Sequence, residues 1–120
     1  DKINGSSTFA DAELAYTSFT TAVRIKRIHW TGSASLREDT RGKIHPTQKP
    51  VVLYEFLLQR YAKKGDRILD THLGSGSIAL ACHNLGFDLV GYEIDSEYYT
   101  AASKRLKDHQ RQLSIQWGAK

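Results

Sequence analysis

Residues 67–93, which read RILDTHLGSGSIALACHNLGFDLVGYE, constrain the fold of this chain more than any other stretch. RILD and FDLVGYE are short apolar segments typical of buried strands, and a glycine-rich loop and a helix-forming segment separate them. Two strands that are joined by a helical crossover pair in parallel. The sequence therefore predicts a parallel sheet, with a helix over 77–86 that Gly86 ends.

Two further helices flank this unit. Pro50 suits the first turn of a helix that ends at Gly65. The apolar residues between them recur at the spacing of one buried helical face: Leu53, Phe56, Leu57 and Tyr61. Asp95 is a suitable N-cap for a long helix. The predicted apolar side of that helix comprises Tyr98, Ala102, Leu106 and Leu113. Helices between and beside parallel strands predict an α/β sheet that is covered on both faces.

The N-terminal third predicts two strands and a loop. LAYTSF (14–19) and AVRIKRIHW (22–30) are rich in β-branched and aromatic residues, which predicts a strand pair over 14–30. The alternation changes phase at Arg27, which indicates a bulge. Residues 31–43 are small, polar and charged, and predict a mobile basic loop.

Composition limits the class of protein. A chain of 120 residues suffices for a single domain, 1–120, with its own core. Cys82 is the only cysteine, which excludes an intramolecular disulfide and fits a reducing compartment. No apolar run approaches the roughly 18 residues of a membrane span. We therefore expect a soluble, cytoplasmic domain without membrane contact.

The positive charge is concentrated in one segment. The chain carries a formal net charge of +4, and residues 23–43 alone hold six basic and two acidic side chains. Such a segment is compatible with a polyanionic partner. Charge alone equally fits a solvated strand and loop, so it does not identify the partner.

The loop after RILD and the acidic residue after FDLVGY predict a nucleoside site. Gly74 and Gly76 allow the backbone to approach a ligand closely, and the next helix begins with outward-pointing N–H groups. Glu93 ends the second strand, where a carboxylate can accept hydrogen bonds from the two hydroxyls of a ribose. A tight turn with a capping glutamate is the structural alternative.

These residues alone leave the ligand open. Gly74-x-Gly76-x-x-Ala79 matches the dinucleotide fingerprint, which favours a nicotinamide-dependent oxidoreductase. Asp70, directly before the loop, would repel a pyrophosphate but could hold the ammonium of a zwitterionic ligand. S-adenosylmethionine is such a ligand, since it combines a ribose with an amino-acid end.

Three motifs together carry a family resemblance. HPTQKP before an amphipathic helix, then LDTHLGSGS, then GYEID resembles the permuted amino-methyltransferases of DNA, which act on N6 of adenine or N4 of cytosine. The chain is most similar to small DNA methylases of phages and prophages, over nearly its whole length. The resemblance implies an incomplete Rossmann-like, S-adenosylmethionine-dependent methyltransferase fold with three α/β/α layers. Residues 44–113 would be its cofactor-binding half.

The resemblance also implies roles for individual residues. HPTQKP would lie beside the glycine loop and close the methionine end of the cofactor site with His45, Thr47, Lys49 and Pro50. The loop itself would comprise Asp70, Leu73, Gly74 and Gly76. Glu93 would bind the ribose, Ile94 would pack against the adenine, and Asp95 would accept from the adenine amino group. The basic residues expected on DNA phosphates are Arg24, Lys26, Arg27, Arg37, Arg41 and Lys43.

The chain departs from the family pattern in two places. Thr71 and His72 stand where the family has Pro-Phe, and we expect His72 to be a non-catalytic loop residue. The Asp/Asn/Ser-Pro-Pro-aromatic motif, which holds the target amino group of a flipped base, is absent, since Pro46 and Pro50 are the only prolines. We therefore expect no catalytic residue in this chain, and expect the motif to lie before residue 1.

Three expectations concern assembly and alternatives. An incomplete sheet exposes an apolar edge, which predicts a homo-oligomer. The five histidines show no ligand spacing with Cys82 or with a carboxylate cluster, so no metal site is expected. The alternative to an enzyme that acts on double-stranded DNA is a catalytically inactive nucleic-acid-binding or assembly module that retains the fold.

Overall fold

The computed structural model describes residues 13–28 and 44–118, with side chains as far as residue 112. These residues belong to two compact units, Asp1–Arg41 and Gly42–Lys120, and each is described by itself. The second unit contains, in chain order, α1 (Val51–Tyr61), β1 (Arg67–Asp70), α2 (Ser77–Leu85), β2 (Asp88–Gly91) and α3 (Ser96–Gly118).

The two strands form a parallel sheet, as predicted. Arg67 lies opposite Asp88, and Asp70 lies opposite Gly91. The pairing continues past the strands, because Tyr92 N donates to Asp70 O over 2.8 Å. The crossover through α2 places the carboxyl ends of both strands at the same edge, where the glycine loop begins.

The helices cover one face of this sheet. The buried cluster comprises Val51, Leu58, Leu80, Ala81 and Cys82, and Ile68, Leu89 and Leu106 pack against it. On the opposite face, Leu69 is 63% exposed and Val90 is 38% exposed. The described residues therefore supply two of the three predicted layers, and a third layer is not among them.

Helix α1 differs from the prediction in its end and in its buried face. The helix ends at Tyr61, because Ala62 is extended, and Gly65 lies in the following turn with a φ of 91°. Val51 and Leu58 are its most buried residues, since they face the core cluster. The predicted face is only half-buried: Leu53, Phe56, Leu57 and Tyr61.

The other helix boundaries follow the sequence. Gly86 ends α2 with a φ of 74°, and Phe87 N donates to Cys82 O over 2.9 Å. This pattern is a Schellman motif. Asp95 caps α3, because its Oδ1 accepts from Glu97 N at 2.9 Å and from Tyr98 N at 3.0 Å.

The described part of the first unit, residues 13–28, contains neither helix nor strand. Its large apolar side chains are exposed, among them Leu14, Tyr16 and Val23. No strand is therefore assigned over the described part of the pair predicted for 14–30, and the pair stays a prediction. Residues 29–43, including the predicted loop over 31–43, lie outside the described residues.

The described residues contain neither a membrane-spanning helix nor a cluster of metal ligands. None of the helices there is both long and apolar enough to cross a membrane. No group of three or more His, Cys, Asp or Glu side chains in that part of the chain could hold a metal ion.

Candidate functional site

The glycine loop is a compact turn at the carboxyl edge of the sheet. Gly76 N donates to Leu73 O over 2.9 Å, and Leu73 N donates to Tyr92 O over 2.8 Å. Gly74 and Gly76 have φ angles of 53° and 72°. Residues with a side chain rarely adopt such angles, so the turn requires glycine at both positions.

Glu93 connects the loop to the end of β2. Its Oε2 accepts from Gly74 N at 2.7 Å, and its Oε1 accepts from Asp95 N at 3.0 Å. The two residues joined by the shorter bond are 19 positions apart in the chain. One carboxylate therefore holds the glycine loop against the start of α3.

These hydrogen bonds set the charge state of Glu93. The backbone N–H groups of Asp95 and Gly74 both lower the pKa of the Glu93 carboxyl, and they outweigh its partial desolvation. The group is thus an ionised acceptor at neutral pH. A carboxylate offers about four lone-pair sites, of which the backbone uses two, so it can accept two further hydrogen bonds.

The segment IHPTQKP forms a closed turn before α1. Gln48 N donates to His45 O over 3.1 Å, with Pro46 at the second position that type I and II turns favour. The Gln48 side chain also accepts from Ile44 N at 3.1 Å. Both ends of the turn are therefore tied together by Gln48.

His45 places this turn beside the glycine loop. Its ring lies where a Cβ on Gly74 would meet it at 3.7 Å, and its centroid is 4.4 Å from that of Tyr98. His45 Nδ1 accepts from Thr47 N at 3.2 Å, so the neutral ring carries its proton on Nε2. Thr47 Oγ1 lies 3.0 Å from the same nitrogen.

The first residues of the loop are bonded within the loop. Asp70 Oδ1 accepts from His72 N at 2.9 Å. The exposed His72 contacts Thr71 Oγ1 through Nδ1 at 2.9 Å. The Leu73 side chain lies over Gly91, at 3.0 Å from the position of a Cβ there. Gly91 thus leaves the space that Leu73 occupies.

Ile94 and Asp95 follow Glu93 on the surface. Ile94 is fully exposed, at 102%, although it is a large apolar residue. Asp95 is exposed and uses Oδ1 for the cap of α3. An exposed isoleucine beside an ionised carboxylate offers an apolar surface and a polar anchor at adjacent positions.

The other predicted residues lie at varied depths. Pro50 is buried as the N-cap of α1, with a φ of −67°, and Lys49 before it is half-buried. In the first unit, Arg24, Lys26 and Arg27 are exposed. Arg37, Arg41 and Lys43 lie outside the described residues.

Sequence reasoning missed a polar cluster beneath the loop. Arg105 of α3 is 5% exposed, Ser75 is 5% exposed and Ser77 is 2% exposed. Arg105 Nη1 donates to Ser75 O at 3.0 Å and to Ser77 Oγ at 2.9 Å. A charged residue on a predicted apolar face is the signal that could have found it, because Arg105 stands three residues after Ala102 on that side of the helix.

Comparison with known proteins gives one family. Residues 12–104 match the family model described as DNA methylase. The type II methyltransferase M2.DpnII of Streptococcus pneumoniae is 38% identical over 78 residues, which cover 65% of this chain and 29% of that protein. M2.LlaDCHI of Lactococcus lactis subsp. cremoris is 36% identical over 77 residues, covering 64% of this chain and 29% of that protein. M.HpaI of Haemophilus parainfluenzae is 41% identical over 64 residues, which cover 53% of this chain and 20% of that protein.

Two solved structures are also similar. The crystal structure of M1.HpyAVI is 38% identical with a TM-score of 0.48, over 50% of this chain and 30% of that chain. The crystal structure of the M1.HpyAVI–SAM complex is 41% identical with a TM-score of 0.49, over 51% of this chain and 32% of that chain. The chain thus spans less than a third of the curated methyltransferases that it matches.

Proposed function

Because the chain belongs to the DNA methylase family, whose model matches residues 12–104, we propose that it supplies the cofactor-binding part of an S-adenosylmethionine-dependent DNA methyltransferase. The proposed acceptor is N6 of adenine or N4 of cytosine in double-stranded DNA. The parallel β1–α2–β2 unit belongs to the family's Rossmann-like fold, of which the described residues contain a part. The contact of Glu93 with Gly74 carries the proposal.

The proposed ribose site is the free side of the Glu93 carboxylate. The backbone N–H groups of Gly74 and Asp95 orient both oxygens and keep the group ionised. Two lone-pair sites remain, which matches the two adjacent hydroxyls of a ribose. Ile94, directly after it, would pack against the adenine ring, and its full exposure supports this role.

The methionine end of the cofactor would lie on the other side of the glycine loop. The His45 ring lies 3.7 Å from the position of a Cβ on Gly74, so the IHPTQKP turn is near enough to line this end together with Thr47 and Lys49. Lys49 would hold the cofactor carboxylate and Asp70 its ammonium, because opposite charges attract strongly where water is partly excluded. Pro50 would fix the backbone that presents Lys49.

The remaining assignments concern the adenine and the loop. Asp95 would accept from the adenine amino group with the oxygen that does not cap α3. Leu73 and Gly76 would shape the loop around the ligand. S-adenosylmethionine, when bound, supplies a methyl group on a sulfonium for transfer to the exocyclic nitrogen of a flipped base. Within this scheme the described residues bind and orient, and none of them is assigned to proton transfer.

DNA phosphates are the proposed partner of the basic segment. Arg24, Lys26 and Arg27 are exposed, as phosphate contacts require. Arg37, Arg41 and Lys43, which lie outside the described residues, are proposed as further phosphate contacts. A filter-binding salt series tests this, because each lost phosphate contact reduces the slope of log affinity against log salt by about one.

Calorimetric titration with S-adenosylhomocysteine tests the cofactor site. The wild type is expected to bind saturably, and Glu93→Ala to lose at least about tenfold in affinity, since it removes hydrogen bonds from a charged acceptor. Glu97→Ala, an exposed carboxylate in the first turn of α3, is the matched control and should bind as the wild type does. Equal affinity of Glu93→Ala and the wild type, with both folded, would refute the ribose assignment.

The same titrations separate the alternatives. DNA binding without affinity for S-adenosylhomocysteine would favour the inactive nucleic-acid-binding or assembly module. NADH binding without a response to S-adenosylhomocysteine would favour the oxidoreductase. Asp70, beside the place that a pyrophosphate would take, argues against the latter.

We also propose self-association through the two-stranded sheet. Each of β1 and β2 has one strand neighbour among the described residues, and Leu69, Val90 and Tyr92 are exposed beside them. An open strand edge, next to the apolar face on which Leu69 and Val90 are exposed, pairs readily with a second copy. Light scattering across a concentration series would show a mass of more than one chain, and a constant monomer mass would refute the proposal.

A cytoplasmic location, in a bacterium or a phage-infected host, is proposed from the cysteine. Cys82 is a free thiol, 1% exposed, in the core cluster. Proteins of reducing compartments keep such thiols without a disulfide. Cell fractionation followed by immunoblotting tests this proposal, and recovery in a secreted fraction would refute it.

A further inference from the structure

Arg105 lies directly beneath the glycine loop. It is 5% exposed, and Ala102, one turn earlier on α3, is 2% exposed. A Cβ on Gly76 would meet the Ala102 Cβ at 3.0 Å. The same face of α3 therefore contacts the loop twice, by packing at Ala102 and by hydrogen bonding at Arg105.

One nitrogen of Arg105 donates hydrogen bonds to the residues on either side of Gly76. Nη1 donates to Ser75 O at 3.0 Å and to Ser77 Oγ at 2.9 Å. Because Ser77 Oγ accepts from Arg105, its hydroxyl proton is available for Ser75 Oγ, 3.2 Å away. The guanidinium and two buried serines thus form a connected polar network around the loop.

This network fixes the orientation of the Ser75–Gly76 peptide. Its carbonyl is held by Arg105, and its N–H donates to Leu73 O over 2.9 Å. A flip of this peptide would break both hydrogen bonds and leave a buried carbonyl beside a buried cation. Unsatisfied buried polar groups are costly, so the loop is confined to one conformation.

The glycine loop is supported by Glu93 as well as by Arg105. Glu93, which precedes α3, holds Gly74 through its carboxylate, and Arg105 within α3 holds Ser75 and Ser77. Three residues of the loop, Gly74, Ser75 and Ser77, are therefore each held by a side chain of the segment 93–105.

We propose that Arg105 is a positioning residue that sets cofactor affinity by holding residues 74–77 in their ligand-binding conformation. The inference rests on the proposed function, since it takes the glycine loop to be the cofactor site. Arg105 itself is buried under the loop and acts through Ser75 and Ser77. A ligand that meets a pre-formed loop is spared the cost of ordering it, which raises its affinity.

The test compares four variants of the full-length protein: Arg105→Met, Arg105→Lys, Ser77→Ala and Lys107→Met. S-adenosylhomocysteine affinity is measured by calorimetry, and exchange of the Gly76 amide is measured without ligand. Arg105→Met should bind at least about tenfold more weakly, because it removes two hydrogen bonds from a charged donor, and its Gly76 amide should exchange faster. Arg105→Lys, which keeps one charged donor group, should recover part of both properties.

The other two variants separate geometry from charge. Ser77→Ala removes one acceptor and should weaken binding severalfold. Lys107→Met removes the same charge from an exposed position on the same helix, and should leave affinity and exchange unchanged. If Arg105→Met does not fold, Arg105→Lys and Ser77→Ala decide the question.

The outcomes are distinguishable. If the wild type binds, Glu93→Ala does not, and folded Arg105→Lys and Ser77→Ala both bind as the wild type does, this inference is overturned and the proposed function stands. If the wild type itself does not bind, the proposed function fails and the inference fails with it. Weaker binding by Lys107→Met equal to that of Arg105→Met would also overturn it, since net charge would then be the cause.

Discussion

The Gly74 amide donates to Glu93 Oε2 over 2.7 Å, which ties the glycine loop after β1 to the residue that follows β2. This bond connects two segments that the chain brings together only by completing the β1–α2–β2 crossover. The acidic residue therefore does not depend on a ligand for its orientation. It is held by the fold in the ionised state that a hydroxyl-bearing ligand requires.

We expect Glu93→Gln to lower stability near neutral pH. An amide has one acceptor oxygen, so either Gly74 N or Asp95 N loses its partner. The folded pKa of Glu93 lies below its unfolded value, so its contribution is present above the unfolded pKa, about 4.3, and is lost as pH falls through the lower, folded pKa. Urea denaturation at pH 7 and at successively lower pH should show the two proteins converging in acid.

The control for this prediction is Glu97→Gln, which removes an exposed carboxylate from the first turn of α3. A stability difference between the wild type and Glu93→Gln that stays constant from pH 7 down to acid would contradict the assignment. It would mean that side-chain shape, and not the charge of Glu93, contributes the stability.

Gly76→Ala should destabilise the fold more than Gly86→Ala does. Both glycines have nearly the same φ, 72° and 74°, so both substitutions carry a backbone strain of about 1–2 kcal/mol. Only at Gly76 would the new Cβ also come within 3.0 Å of Ala102, and this overpacking costs about 1–3 kcal/mol more. Chemical denaturation of the two variants gives the difference directly.

A double-mutant cycle with Ala102→Gly isolates the contact. Removing the Ala102 methyl should recover part of the excess cost of Gly76→Ala and none of the cost of Gly86→Ala. Equal losses in the two single variants would show that α3 moves away without penalty, and that the close approach to Gly76 is not important for stability.

Much of the fold could be predicted because its boundary signals are local. Gly86 and Asp95 end α2 and begin α3 as the sequence indicates, since a left-handed residue and a side-chain cap act within one turn. The end of α1 was misplaced at Gly65, because a glycine in a turn resembles a glycine at a helix end. Residues 13–28 contain no strand, and the pair predicted for 14–30 stays a prediction, because strands need a partner that composition does not supply.

The ligand loop of the candidate site could be predicted from the sequence, but the residues of α3 that hold the loop in place could not. Glycines and an acidic residue at fixed spacing indicate a ligand loop, and the structure brings Gly74 and Glu93 together. Gly76 is buried against Ala102, and its place in the ligand loop stays a prediction. The role of Arg105 depends on how α3 crosses the loop, and a helical pattern alone does not give that crossing.

Cys82 is expected to be unreactive in the folded protein. Burial raises the pKa of its thiol, and the nearby Asp70 carboxylate raises it further, so little thiolate forms near neutral pH. Its reaction with a disulfide reagent at pH 8 should be at least about 100-fold slower than in denaturant, since the side chain is reached only by opening of the core. Comparable rates in the two conditions would contradict the position of α2 in the core.

Asn84→Ala should lower the free energy of unfolding by about 1 kcal/mol, because a hydrogen bond that remains partly exposed usually contributes about that much. Asn84 Nδ2 donates to Glu55 Oε1 on α1 at 2.8 Å, and its Oδ1 lies 2.6 Å from His109 Nε2 on α3. Chemical denaturation measures the loss, with the exposed Gln110→Ala on α3 as the control. If Asn84→Ala leaves the free energy of unfolding unchanged, these two hydrogen bonds form without contributing to stability.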